Sequence, residues 1–512
     1  MSLTKVSFSM ITGAVVNVKD YGAKGDGTTN DTLAIQAAID ACSTNGNGGG
    51  IVFVPSGIYL MCSRDYINSS GTTIGRCCLI MRDGVTLQGE NWGSQLKLDA
   101  SQYSVGTYFR LIASDTVSPL VQASIRDITI NGNRSNNPSI TDGNNILLEV
   151  TRNVVIDNVN SIASNGNGIL LRGTAAAYMY NVEVTNCYSY SHAMIGIQCS
   201  QFNGLIIDNN LVSSTDNNCI DIYGDSGTPG GESHSLNFVI SNNVCIGSTL
   251  NTGIFPETVS NGVIIGNTIS SCDTGIHCNT INNQPRGVTI EGNNIVTVNY
   301  GIQITGATHG VRVINNYISA FVNYGVYLGT VNYTEVQNNY FIPPNSTTYC
   351  IYLTGTGSSY NRIWNNTVND YIGGSITQAY LATDASTSGN DNFIGGFTTT
   401  PGLTGPDVAS RTLQLKYAAA SSTASPYDIT IPNNTAGKVV VSVRYSTDAQ
   451  VSTYPYVKYG GTLVVGTVSG TATKGSATIT SATTSSGQQM RITCVNATGN
   501  YINAGLEYVV VT

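Results

Sequence analysis

The chain has 512 residues, of which 41% are hydrophobic and only 10% charged, against roughly 25% charged in an ordinary globular protein. Lys plus Arg number 22 and Asp plus Glu 30, a formal charge of −8. Abundant β-branched residues exclude disorder, the shortage of Lys, Glu and Arg excludes a coiled coil, and the lack of clustered cations excludes nucleic acid as partner.

No run of about 18 apolar residues occurs, so no membrane insertion is expected. The 12 Cys form no CxxC pair, and no dense Asp cluster points to calcium, so no metal or cofactor is expected. Several Cys lie in apolar runs such as Ile197-Gln198-Cys199 and read as buried reduced thiols. Met1-Ser2-Leu3-Thr4-Lys5 lacks the apolar core of a signal peptide, so synthesis in a reducing cytoplasm is expected. The remaining surface of Asn, Ser, Thr, Gly and Tyr suits sugars, and it equally suits a β-solenoid.

Asn30-Asp31 precedes Ile35, Ala38, Ile39 and Cys42, the stripe of a short amphipathic helix. Asp26 and Asp31 read as turn and cap residues. A Gly-rich stretch comes next, then the strand Ile51-Val52-Phe53-Val54. Residues 1–50 are therefore read as an N-terminal cap over the open end of a β-solenoid.

The segment 51–379 is dominated by a repeat. A small residue followed by an aliphatic one recurs at Gly168-Ile169, Gly196-Ile197, Cys219-Ile220, Gly253-Ile254, Gly275-Ile276, Gly301-Ile302, Gly325-Val326 and Cys350-Ile351. The intervals run from 22 to 28 residues, with one of 34. Each unit carries a second strand signature ending in Asn, as in Val182 to Asn186, Leu205 to Asn209 and Val263 to Asn267. One unit is too short to bury its own apolar face, but stacked units share one interior. Three short strands per turn predict an all-β, right-handed parallel β-helix. The recurrent Asn is expected both to take left-handed backbone at the bend and to pair its amide from coil to coil. Residues 380–410 read as a linker. Residues 411–512, with strands about 10 to 15 residues apart, read as an antiparallel β-sandwich for trimerisation or carbohydrate binding.

The stretch Val16-Asn17-Val18-Lys19-Asp20-Tyr21-Gly22-Ala23-Lys24-Gly25-Asp26-Gly27-Thr28-Thr29-Asn30-Asp31-Thr32, followed by Ala34 to Ile39, resembles the opening of pectate-lyase-like β-helix proteins. With Ser7 to Ile11 ahead of it, it most resembles bacteriophage tailspikes. The resemblance implies a homotrimer, borne on the virion tail, that binds and usually cleaves a bacterial surface polysaccharide. The chain starts almost at the cap, which either attachment through a virion adaptor protein or a shortened chain would explain. Thr215-Asp216-Asn217-Asn218-Cys219-Ile220-Asp221-Ile222 is similar to the Thr-Asp-Asp-Cys-Ile-Ala-Ile stretch of polygalacturonases. The Asp pair is altered to Asn217-Asn218 and no Gly-His-Gly motif comes after it, which argues against a pectin hydrolase.

Aligning the units on the inward aliphatic makes the next residue outward. That column reads Gln198, Asp221, Phe255, His277, Gln303, Tyr327, Tyr352. Two residues on, it reads Arg172, Ser200, Tyr223, Glu257, Asn279, Thr305. Asp221 and Glu257 thus fall on neighbouring rungs, about 8 Å apart on the backbone diagonal. That separation suits the acid and base of an inverting glycosidase. Glu257, after Phe255-Pro256, is favoured as acid. His277 is expected to orient a carboxylate or the substrate, Tyr223 and Phe255 to stack on sugar rings, Gln198 to bind substrate, and Arg172 to meet an anionic substituent. The long interval inserts Gly224 to Leu236, and its Asp225 and Glu232 compete for the catalytic roles. An outward acid on a solenoid is most often plain solvated surface, so the concentration on adjacent rungs carries the assignment. His192 and His309 read as surface or loop residues, and Trp92 and Trp364 as packing residues. Ile206, Val239 and Ile264 are expected to form an exposed aliphatic column that a homotrimer would bury. The leading function is an endo-acting glycoside hydrolase. A lyase of the same fold and a non-catalytic glycan-binding adhesin are the alternatives.

Overall fold

The computed structural model describes residues 15–368, except 44–48, 103–108, 175, 214, 225–234, 248–250, 280–286, 298, 307–308, 345–348, 355–357 and 359. Beyond 368 it describes the backbone of the strands named below, with Gly466 and Thr467.

The chain winds into a parallel β-helix with three faces. One rung illustrates the path: Ile197–Ser200 on face A, Phe202–Asp208 on face B, Leu211–Ser213 on face C, and then Ile220–Tyr223 begins the next rung on face A. Inward residues stack in register on face A. Ile169, Ile197, Ile220, Ile254, Ile276, Ile302, Val326 and Ile351 succeed one another through the ladder, and all are fully buried. Burying each such side chain contributes about 1.5–3 kcal/mol, and the column forms only when rungs stack. The small residue ahead of each aliphatic has a steric cause. A Cβ on Gly275 would lie 2.5 Å from the Gly301 carbonyl oxygen and 2.5 Å from Ile295 Cγ2.

The helix Thr32–Cys42 closes the N-terminal end with Ile35, Ala38, Ile39 and Cys42 buried, as its stripe predicts. Asp31 stands at its N-cap, but its carboxylate accepts from Lys24 N (2.6 Å) and Gly25 N (2.9 Å) instead of capping the helix. Asn30 Oδ1 accepts the Thr32 amide in its place.

Two adjacent residues share the roles expected of one Asn. Asn186, Asn209, Asn242, Asn315 and Asn338 take the left-handed conformation at the B–C bend, and Gly266 and Gly292 do so on the rungs between. The buried amide ladder belongs to the next position: Asn210, Asn243, Asn267, Asn293, Asn316, Asn339 and Asn366. Each Nδ2 in turn donates to the Oδ1 of the next rung at 2.9–3.0 Å. It also donates to a backbone carbonyl, as Asn267 does to Ile240 O. Every Oδ1 also accepts a backbone N–H, so no amide in the column is orphaned.

Three expectations need correction. Ile264 is fully buried, because the register pairs it with inward Ile240, and Val263 takes the outward place beside Val239. Ile206 and Val239 are exposed as expected. His192 is also fully buried, its Nδ1 2.7 Å from Ser164 Oγ and its Nε2 3.0 Å from Ser189 Oγ. Burial without a charged partner holds it neutral, down at about 3. Finally, the parallel ladder runs on past residue 379, through Gln378–Ala382, Phe393–Ile394 and Thr398–Thr399, into the stretch read as a linker.

The remaining strands are antiparallel. Leu415–Lys416, Tyr501–Val510, Thr435–Tyr445, Asp448–Tyr459 and Thr462–Val465 form one sheet, which Gly470–Lys474 joins alongside Asp448–Tyr459. Tyr427–Thr430, Gln489–Val495 and Thr478–Ser485 form a second sheet, which lies in contact with the first.

Candidate active site

Face A fixes the outward side chains as a lattice, two columns wide and one rung deep per step. Gln198 is succeeded by Asp221 and then Phe255. In the second column Arg172 is succeeded by Ser200, Tyr223, Glu257 and Asn279. On the two central rungs the acids occupy one diagonal, Asp221 and Glu257, and the aromatics the other, Tyr223 and Phe255. Rungs about 4.8 Å apart and alternate residues about 6.7 Å apart make the acid diagonal about 8 Å at the backbone. The expected register therefore holds for Asp221, Tyr223, Phe255, Glu257 and Gln198.

Asp221 departs from plain solvated surface. Only 7% of it is exposed. Its Oδ2 receives Asn218 Nδ2 at 3.5 Å, and its Oδ1 has no hydrogen-bond partner among the described residues. Burial, and next the negative charge of Glu257, push its carboxyl up to about 7, while the polar side chains of Asn218 and Gln198 oppose the rise. Gln198 is itself oriented, since its Oε1 accepts from Asn167 Nδ2 at 2.8 Å. Glu257 is half-buried, and burial raises its carboxyl as well.

His277 stands on the next rung, its ring 4.9 Å from that of Phe255. Its Nε2 lies 2.9 Å from Thr305 Oγ1, and that hydroxyl donates to Asn279 Oδ1 at 3.0 Å. A hydroxyl has one proton, so with Asn279 so oriented His277 donates from Nε2 and keeps Nδ1 as an acceptor. Burial holds the ring neutral, down at about 4.

Arg172 is not brought to the acids. It lies three rungs from Glu257 in its column, about 14 Å away, and its guanidinium binds Glu149 through Nε (3.1 Å) and Nη2. Asp225 and Glu232 fall outside the described residues. Their insertion leaves the lattice at its rim, since Gly224 N donates to Glu257 O at 2.9 Å. Supporting residues to which the sequence reading gives no role in the site are Asn218, Asn167 and Thr305. The signal for Thr305 is register, because Thr305 comes after Asn279 in the outward column. The signal for Asn218 is its place at the turn just before Asp221.

Among family models, rhamnogalacturonase A/epimerase, pectate lyase-like, matches residues 15–277, and periplasmic copper-binding protein (NosD) matches residues 231–379. Mannuronan C5-epimerase AlgE4 of Azotobacter vinelandii is 36% identical over 129 residues, which cover 25% of this chain and 21% of that protein. The chain thus spans only a fraction of the length of that relative. Among solved structures, the A-module of mannuronan C-5 epimerase AlgE6 from Azotobacter vinelandii superposes with a TM-score of 0.60 at 21% identity, covering 75% of this chain and 99% of that one. The N-terminal fragment of bacteriophage phi29 gene product 12 superposes with a TM-score of 0.54 at 17% identity, covering 75% of this chain and 70% of that one. Both likenesses concern the parallel β-helix fold.

Proposed function

The chain belongs to the rhamnogalacturonase A/epimerase, pectate lyase-like family, and from that premise we propose that it hydrolyses a bacterial surface polysaccharide lying along face A. The observation that carries this is the Asp221–Glu257 diagonal, with Asp221 buried and raised to about 7. Such a carboxyl holds a proton near neutral pH and serves as general acid. This reverses the assignment favoured from sequence, because Asp221 is the more deeply buried of the two. In the reaction Asp221 gives its proton to the glycosidic oxygen as the C–O bond breaks. Glu257 takes a proton from the water that attacks the anomeric carbon from the opposite side. Solvent then restores both groups. The backbone diagonal of about 8 Å gives the two carboxyl groups reach to the roughly 6.5–9.5 Å separation of inverting enzymes. Tyr223 and Phe255 flank the cleavage point, Gln198 and His277 Nδ1 offer hydrogen bonds to sugar hydroxyls, and Asp225 and Glu232 stay as candidates for the same roles.

The setting we propose is a phage tailspike: a homotrimer on the virion tail, joined through an adaptor protein, made in the host cytoplasm and acting at the bacterial surface. The resemblance of residues 7–39 to tailspike openings supports it. A second reading, epimerisation or lyase-type elimination on a uronate glycan, is favoured by the similarity to a protein named mannuronan C5-epimerase. Incubation with host surface polysaccharide separates these. Shortened chains with new reducing ends support hydrolysis, and shortened chains with an ultraviolet-absorbing unsaturated end support elimination. Unshortened, unmodified chains that still bind the protein leave an adhesin.

A further inference from the structure

Beyond His277 the outward lattice changes character. Gln303 and Thr305 carry it for one rung, and then tyrosines take over. Tyr327 and Tyr352 are register partners in the first column, and Tyr300, Tyr324 and Tyr349 pair in register where the strands enter the face. Their rings stack from rung to rung. Tyr324 lies 4.5 Å from Tyr352 at 21°, Tyr327 lies 5.7 Å from Tyr352 at 18°, and Tyr324 lies 6.2 Å from Tyr349 at 14°. Rings stacked along the solenoid axis cover one another's faces and leave edges and hydroxyls for a ligand. All five are only half-buried, and none of the five hydroxyls has a hydrogen-bond partner among the described residues. Burial and the neighbouring phenols raise Tyr324 and Tyr327, so their hydroxyls stay protonated and uncharged.

The charge around this surface is as distinctive. Between Arg172 and Arg362 the sequence has two basic residues, Arg286 and Arg312, against ten acidic ones. Arg312 lies on face B and binds Glu335 at 3.0 Å, Arg286 lies outside the described residues, and Arg172 is held by Glu149. His277 adds no charge near neutral pH. A polyuronate presents a carboxylate on each sugar and calls for clustered cations. From Ile197 to Thr354 the described strands of face A offer two acids, Asp221 and Glu257, and otherwise neutral side chains, hydroxyls and amides among them.

We propose that the tyrosine ladder Tyr300–Tyr324–Tyr327–Tyr349–Tyr352 is a distal glycan subsite, and that the glycan held along face A is uncharged. The ladder lies two to four rungs past Glu257, about 10–19 Å at the rung spacing. It therefore engages sugars several units from the cleaved bond. The inference rests on the hydrolase reading only in laying the glycan along this face.

The test uses the full chain carrying Asp221→Asn, which by the hydrolase reading binds without turnover. It is applied to an array of neutral and uronate-containing oligosaccharides of matched length. Binding to neutral features is expected. Adding Tyr327→Phe and Tyr352→Phe keeps the ring stack and removes two hydroxyls, so binding should weaken about tenfold, the weight of two hydrogen bonds. Circular dichroism and melting verify that the fold is kept, and Tyr324→Phe is the second variant if the double one melts early. Preference for uronate features, unchanged binding by the phenylalanine variants, or no binding to any neutral feature overturns the proposal. Wild-type cleavage is scored separately as reducing ends. Hydroxyl-dependent binding without cleavage overturns the hydrolase reading and leaves the subsite standing, and cleavage without hydroxyl dependence does the reverse.

Discussion

Replacing Asp221 by Asn should stabilise the protein while abolishing turnover, and the gain should depend on pH in a defined direction. The carboxyl rises from an ordinary 3.8 to about 7 in the folded chain, through burial first and the Glu257 charge second. Below about pH 4 the side chain is protonated in both folded and unfolded chains and contributes no difference. As pH rises from there, the unfolded chain releases the proton while the folded chain keeps it, so stability falls. The loss is complete once pH passes about 7. At about 1.36 kcal/mol per pH unit, the full penalty is on the order of 4 kcal/mol. Asn has nearly the same shape and no charge to bury. The variant should therefore match the wild type near about pH 4 and exceed it by up to about 4 kcal/mol near about pH 8. Urea unfolding of both proteins across this range measures the difference. Parallel stabilities at every pH, or a variant weaker than the wild type above neutrality, would refute the burial and the raised carboxyl together.

The same lattice and ladder set four more expectations. Asn267→Ala should cost about 3 kcal/mol or more, because it orphans the Asn243 backbone N–H, takes one of the two partners of Asn243 Nδ2, removes a donor to Asn293 Oδ1, and opens a gap in the ladder; denaturation midpoints read this. Turnover should decline as pH rises through about 7, since Asp221 then loses the proton it must donate; a pH–rate profile without that basic limb counts against its role. His277→Ala should raise KM about tenfold by removing a hydrogen bond and a packed ring. The pH profile should keep its shape, because the imidazole is already neutral above about 4. Arg172→Gln should leave binding of a neutral glycan unchanged, as that guanidinium is held by Glu149; a fluorescence titration checks it.

The solenoid was legible because its signal repeats. The aliphatic of each small–aliphatic pair is an inward residue, and counting outward from it places Asp221 and Glu257 on the rungs where they lie. Register on face B was less legible. A run such as Val263-Ile264-Ile265 is apolar throughout, so pattern alone does not say which residue points inward, and the outward place expected for Ile264 is off by one position. The two Asn roles are inseparable in the sequence for a related reason. Asn209-Asn210 and Asn242-Asn243 are adjacent pairs, and only the backbone angles separate the bend residue from the ladder residue. Burial of Asp221 was beyond the pattern as well. An outward position is ordinarily wet, and nothing in the alternation of its strand marks this one as only 7% exposed. Burial of His192 is equally hidden in the sequence, since two serines distant in sequence from each other make it tenable.

The most direct test of the Asp221–Glu257 assignment is release of reducing ends from host surface polysaccharide by the wild type, Asp221→Asn and Glu257→Gln. The wild type should release them, and each variant should fall by about a thousandfold or more, as expected when a charge-handling group is removed from the reacting centre. Full cleavage by both variants would contradict the assignment and move the chemistry elsewhere on the solenoid.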